Sequence, residues 1–202
     1  MTIDSLIPEV GFELIRDRIM EILMFEFQNQ SFNYNNTNCD NVNFFAERLT
    51  AMDKVEADYI NISLFKGDYS NKDVAYVDGV YQYTIDIITN AKNTPDNAGD
   101  KLANFRLQKL IGIVRYILEH PNYATLLFDR PFILHTELSK FQIYKAEKGI
   151  DSMNNAIGQM IFTVRCGEET TPNDGNVIEN NYTVVKLDLT EMGFQYKFEE
   201  LI

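Results

Sequence analysis

The chain has 202 residues, 45 % of them apolar, which is enough to build a sizeable core. Lys and Arg number 18 against 30 Asp and Glu, and a net charge of -12 without any basic run argues against a nucleic-acid surface. No apolar stretch approaches the roughly 20 residues that span a bilayer; the best run, LIGIV at 110–114, is bounded by Lys109 and Arg115.

The N-terminal MTIDSLIPEV has no basic region leading into an apolar run, so no signal peptide is expected and the cytoplasm is the expected compartment. The first element is a helix with Pro8 and Glu9 at its start. Phe12, Ile15, Ile19, Ile22 and Leu23 recur at helical spacing, and Glu13, Arg16, Asp17 and Glu21 lie opposite. The Asn-rich stretch 28–43 reads as a long loop, pinned to the fold by Phe32 and Tyr34. Cys39 within it and the distant Cys166 are not expected to form a disulfide.

Strand signals follow. FFAERLTAM is a candidate first strand, and YINISLF (59–65) alternates Ile60, Ile62 and Leu64 with Asn61 and Ser63. Gly67 and Asp68 then read as a break. VYQYTIDIIT (80–89) puts Tyr81, Tyr83, Ile85 and Ile87 on one face and Gln82, Thr84 and Asp86 on the other, so these two strands are expected to pair antiparallel with one solvated face. A Pro, Gly and Asn-rich loop leads to Asp100, the expected cap of a second helix over about 101–119. That helix carries Ala103, Leu107, Leu110, Val114, Ile117 and Leu118 as its stripe, and Pro121 stops it.

FILHTEL (132–138) and FQIYKA (141–146) form one bent strand or two short ones. The next strand places Ala156, Gly158, Met160, Phe162, Val164 and Cys166 on one face and Asn155, Gln159, Thr163 and Arg165 on the other, with Ile157 and Ile161 breaking the alternation. Gly158 marks a bulge or a close backbone approach, and a bend is expected there. YTVVKLDL (182–189) and FQYKFEEL (194–201) read as strands or as an added edge. The order predicts an α+β fold: an antiparallel or mixed sheet, two main helices packed on one face, and a polar other face. A domain over 1–170 and a C-terminal extension over 171–202 with one or two strands are expected.

Catalytic signatures are missing. There is no Walker-A, GxGxxG or GxSxG pattern, and FKGDYS is accounted for as a hairpin turn. His120 and His135 lie in different elements without metal-ligand spacing; His120 suits a helix C-terminus as a cation. A nuclease would rely on strand carboxylates such as Asp86 and Glu137, but the lysine after Glu137, Lys140, stands one residue too far for the usual arrangement. The chain is read as no enzyme, with no cofactor and no metal.

The amphipathic first helix, the strands YINISLFKGD and GVYQYTIDIIT, the helix KLANFRLQKLIGIVRYIL and the late strand AIGQMIFTVRC together resemble the tail-terminator or tail-completion proteins of long-tailed bacteriophages. The likeness spans about residues 8–168 and lies in element order and strand texture. It implies a structural protein of the virion tail or neck that assembles in the host cytoplasm as a ring, usually of six copies. The implied partners are other copies of the chain, the tail tube protein and a head-tail connector or neck protein; no sequence-specific nucleic acid and no membrane are implied. The Asn-rich 28–43 segment and the region after about 170 depart from the compact pattern and are candidates for clasping a neighbour.

Geometry alone nominates subunit-interface residues: Lys66, Asp68 and Tyr69 in the expected hairpin turn, Arg165 at a strand end, and Glu168 and Glu169 beyond it. The alternatives are a monomeric α+β module that binds a peptide or small ligand, a neck adaptor, and the nuclease.

Overall fold

The computed structural model describes residues 11–48, 58–71, 76–92, 94–96, 98–128, 132–144, 155–169, 182–185 and 194–197. Contacts divide the chain into two units, Met1–Thr170 and Thr171–Ile202. The first is an α+β unit: helices α1 (Gly11–Tyr34) and α2 (Gly99–Leu118) on a mixed sheet of β1 (Asn43–Ala46), β2 (Tyr59–Asn71), β3 (Tyr76–Asn90), β4 (Ile133–Tyr144) and β5 (Asn155–Glu169). Its strand order is β1-β2-β3-β5-β4; β1 runs parallel to β2 and every other pair is antiparallel. The second unit holds β6 (Tyr182–Val185) and β7 (Phe194–Lys197), an antiparallel pair.

The period-two pattern decides which face is buried. Tyr81, Tyr83, Ile85 and Ile87 of β3, with Met160, Val164 and Cys166 of β5, are fully excluded from solvent beneath the helices. Ile157 and Ile161, which break the alternation, stand on the open face. In α2 the expected stripe is buried and Ile111 joins it. Burying each such aliphatic side chain contributes ~1.5–3 kcal/mol of transfer free energy. α2 lies over β3 and β5, and α1 mainly over β1 and β2.

Several boundaries differ from the sequence expectation. α1 continues to Tyr34, so 28–34 is helix and not loop. Phe27 holds it there, edge-on to Phe44 at 5.2 Å between ring centroids, while Ser31 donates to Asp40 at 2.5 Å. Phe32 and Tyr34 do not pin the segment, since they are 83 % and 68 % exposed; the buried residue is Cys39. The asparagines act as turn residues. Asn35 and Asn41 take positive φ, which a short amide side chain tolerates, and the Asn36 side chain caps the 3₁₀ turn Thr37–Cys39.

β1 ends at Ala46 because Glu47 adopts φ 54; the later part of the expected FFAERLTAM strand, like the expected start at Pro8 and Glu9, lies outside the described residues. Asp100 is not the α2 cap: the helix starts at Gly99 after Ala98, and the Asp100 carboxylate accepts from the adjacent Lys101 N–H inside the first turn. His120 has a capping role, at the turn that follows α2. Its Nδ1 accepts from Asn122 N at 3.2 Å and caps the 3₁₀ turn Pro121–Tyr123.

Residues 132–144 make one bent strand, with register slips at Leu134 and Ser139. No slip occurs at Gly158, which pairs in register with Ile87 and Ile143. A Cβ there would stand 2.9 Å from Ile111 Cδ1 and 3.1 Å from Leu107 Cδ1, so the glycine is a seat for α2 and not a bend.

Polar groups hold the ends in place. Asp58, 5 % exposed, pairs with Arg106 of α2 and accepts from Asn90 N, while Arg106 also donates to Asp40 O. One carboxylate thus ties β2, β3, α2 and the turn before β1. Gly158→Ala is expected to cost ~1–3 kcal/mol as α2 is pushed off β5. Gly112→Ala, on the exposed side of the same helix with nothing within 4 Å of the added methyl, is expected to stabilise by ~0.5–1 kcal/mol. Urea unfolding of the two variants checks both signs.

Candidate functional site

The residues nominated in a hairpin turn do not sit in one, and Arg165, Glu168 and Glu169 all lie within β5, which runs to Glu169, not at a strand end and beyond it. β2 has a register slip at Phe65 and then continues through Lys66, Asp68 and Tyr69 to Asn71; residues 72–75, between β2 and β3, lie outside the described residues. Gly67 is a strand glycine with a packing reason. Tyr81 lies directly opposite it, and a Cβ at Gly67 would come within 3.1 Å of that ring; at Gly79 it would come within 2.9 Å. The fully buried Tyr81 ring therefore lies over two glycines, edge-on to Phe12 at 5.8 Å and to Tyr69 at 5.7 Å.

Register nevertheless gathers the nominated residues at one end of the sheet. Asp68 pairs with Val80, which pairs with Arg165; Asn71 pairs with Val77, which pairs with Glu168; Glu169 pairs with Tyr76. Lys66 and Asp68 form an exposed ion pair at 2.6 Å. Arg165 reaches Asp78 at 2.8 Å, and Asp78 is only 3 % exposed. The sequence reading missed Asp78. Its partner lies 87 residues away, and only the β3–β5 register brings them together.

The open face of the central strands carries an amide and carboxyl ladder. Gln159 donates to Asp86 at 2.8 Å and accepts from the Tyr144 hydroxyl at 3.0 Å, linking β3, β5 and β4. Burial pushes the Asp86 carboxyl above the ordinary aspartate range, and the Gln159 hydrogen bond opposes that shift. Towards β1 the same face turns aromatic. Arg48 stacks on Phe45 and Tyr59 at 4.4 and 4.9 Å, and the Asn61 amide clasps the Arg48 backbone from both sides. Of the open-face carboxylates, Asp68 is paired with Lys66, Asp78 with Arg165, and Asp86 accepts from the Gln159 amide.

Asp86 and Glu137 do not converge. They are paired to Gln159 and Thr163 on either side of β5, four residues apart along that strand. At ~3.3 Å per residue and ~4.8 Å per strand the separation is too great for one cation. Among the described residues no group of three or more His, Cys, Asp or Glu could hold a metal, and no helix is long and apolar enough to cross a membrane.

Two concavities flank the C-terminal half of α1. One, of about 670 Å³, runs between α1 and β1 and is lined by Met24, Phe27, Phe32, Val42 and Phe44, with Asp40 as its charged residue. The other, of about 610 Å³, lies between α1 and α2. Glu26 accepts from the Tyr123 hydroxyl in its wall, and His120 stands 5.8 and 6.3 Å from the Tyr116 and Tyr123 rings. Burial first, then the Glu26 hydrogen bond, pushes the Tyr123 phenol up to about 12.

The sequence matches no protein-family model and no curated protein.

A raised folded-state carboxyl pKa removes stability as pH climbs from the ordinary aspartate range through the raised value, because the unfolded chain ionises first. Asp86→Asn keeps the Gln159 contact through its own Oδ1 and does not titrate. The variant is expected to lack that loss and to be more stable than the parent at neutral pH. Thermal melts from pH 3 to 7 check it; a variant less stable at pH 7 overturns the burial argument.

Proposed function

We propose that the chain is a structural assembly protein of a phage-type tail, which closes into a ring at the end of the tail tube and offers a surface to the head-side connector. The observation that supports this most directly is the layout of the sheet: helices on one face only, and unpaired edges at both ends among the described residues. A subunit built that way meets its neighbours through two different surfaces, which is the heterologous contact that generates rings. The resemblance in element order leads in the same direction, and the Asp86 to Glu137 separation gives no support to the nuclease alternative.

The α1–α2 concavity favours a second reading, a ligand-binding module. Glu26, Gln30, Asn36 and Asn38 offer polar contacts there beside Tyr116, His120 and Tyr123. Native mass spectrometry with negative-stain imaging across a wide concentration range separates the two. Closed rings with a central hole, of about six copies, are expected; a single chain at every concentration, with a Tyr123-dependent ligand response, would establish the second reading instead.

A further inference from the structure

The ring reading needs a subunit contact, and this inference rests on it. Two surfaces at opposite ends of the five-stranded sheet are complementary. The helix-side face of the first half of β4 is covered: Thr136 donates to Ala124 O and Ile133 is buried. The second half, Lys140–Tyr144, follows the last register slip, pairs regularly with β5, and has no strand on its outer side among the described residues. Phe141 and Ile143 point to the helix side of the sheet; Ile143 is half-buried against the chain's own core, while Phe141 is 53 % exposed.

At the other end of the sheet the situation is reversed. β1 has an unpaired outer edge among the described residues, and α1 overhangs it to leave the groove of about 670 Å³. One end has an apolar strand face without a helix; the other has a helix and a groove without a strand. β1 and β4 run in opposite directions within one sheet, so a second copy in the same orientation presents its β1 antiparallel to β4.

We infer that residues 141–144 of one copy pair antiparallel with Asn43–Ala46 of the next, extending the sheet and placing Phe141 and Ile143 under the neighbour's α1. With Tyr144 opposite Asn43 the faces match throughout. Phe141 falls beside the small Ala46 and Ile143 beside Phe44 on the helix side; Gln142 falls beside Phe45 on the open side. Charge is complementary as well. Lys140, exposed and without an ion pair among the described residues, comes next to Glu47 at the end of β1, whose carboxylate lies 3.8 Å from Arg16 and accepts from Leu64 N in its own chain.

The test uses full-length Phe141→Asp and Met24→Asp, both at exposed positions, so their unfolding midpoints are expected to stay near the parent's. In sedimentation velocity the parent assembles and each variant alone falls to a single chain. An equimolar mixture gives a two-chain species and nothing larger, because it contains one intact contact. Lys140→Glu weakens assembly, because it sets a second carboxylate beside the neighbour's Glu47. Parent rings that persist in both variants overturn this contact and leave the ring reading standing. A mixture that stays as single chains also overturns the contact, and a parent that never assembles overturns both.

Discussion

Two helices cannot cover five strands. At roughly 10 Å per helix and under 5 Å per strand, each helix roofs about two strands, and here α1 takes β1 and β2 while α2 takes β3 and β5. β4 is left to the segment after α2, which reaches only its first half. This mismatch of widths governs the rest of the molecule. It explains why the buried aliphatic residues concentrate on β2, β3 and β5, why Phe141 is exposed on a face that is otherwise core, and why the far ends of β2 and β3 need the Tyr81 ring as their own roof.

The parts of the fold legible in the sequence are those set by local periodicity. Tyr81, Tyr83, Ile85 and Ile87 declared one face of β3, the residues from Ala156 to Cys166 one face of β5, and the six-residue stripe of α2 its buried side. The misread residues are those whose local chemistry points one way and whose packing points another. Gly67-Asp68 looks like a turn, but the glycine is small for the sake of a tyrosine on the facing strand. The Asn-rich run looks like loop, but Phe27 on Phe44 carries the helix through nearly half of it, to Tyr34. Asp100 looks like a cap, but the backbone enters α2 two residues earlier.

Pairings across long separations were out of reach altogether. Asp78 with Arg165, Glu26 with Tyr123 and Asp58 with Arg106 join residues 87, 97 and 48 positions apart, and no composition or period signals them. They share a design. A carboxylate on one element fixes the approach of another, at the distal sheet, between α1 and the turn after α2, and between the sheet and α2. A single cationic or phenolic partner sets the angle of each approach more sharply than apolar packing does, because hydrogen bonds are directional where hydrophobic contact is not. The candidate surfaces, the distal strand ends and the two concavities beside α1, are framed by these contacts.

The edge of β4 carries the last step of the argument. An unpaired strand edge invites association, and monomeric proteins blunt theirs along the whole length with bulges, charges or cover. β4 is blunted only in part: slips at Leu134 and Ser139 disrupt it, and Thr136 in its first half is bonded to Ala124. Beyond Ser139 the strand runs without a slip to Tyr144, leaving a smooth stretch about as long as the four-residue β1. Protection stops where a matching strand would begin. That open length fits the proposed pairing, because β1, of similar length, opposite direction and matching face, stands at the other end of the same sheet.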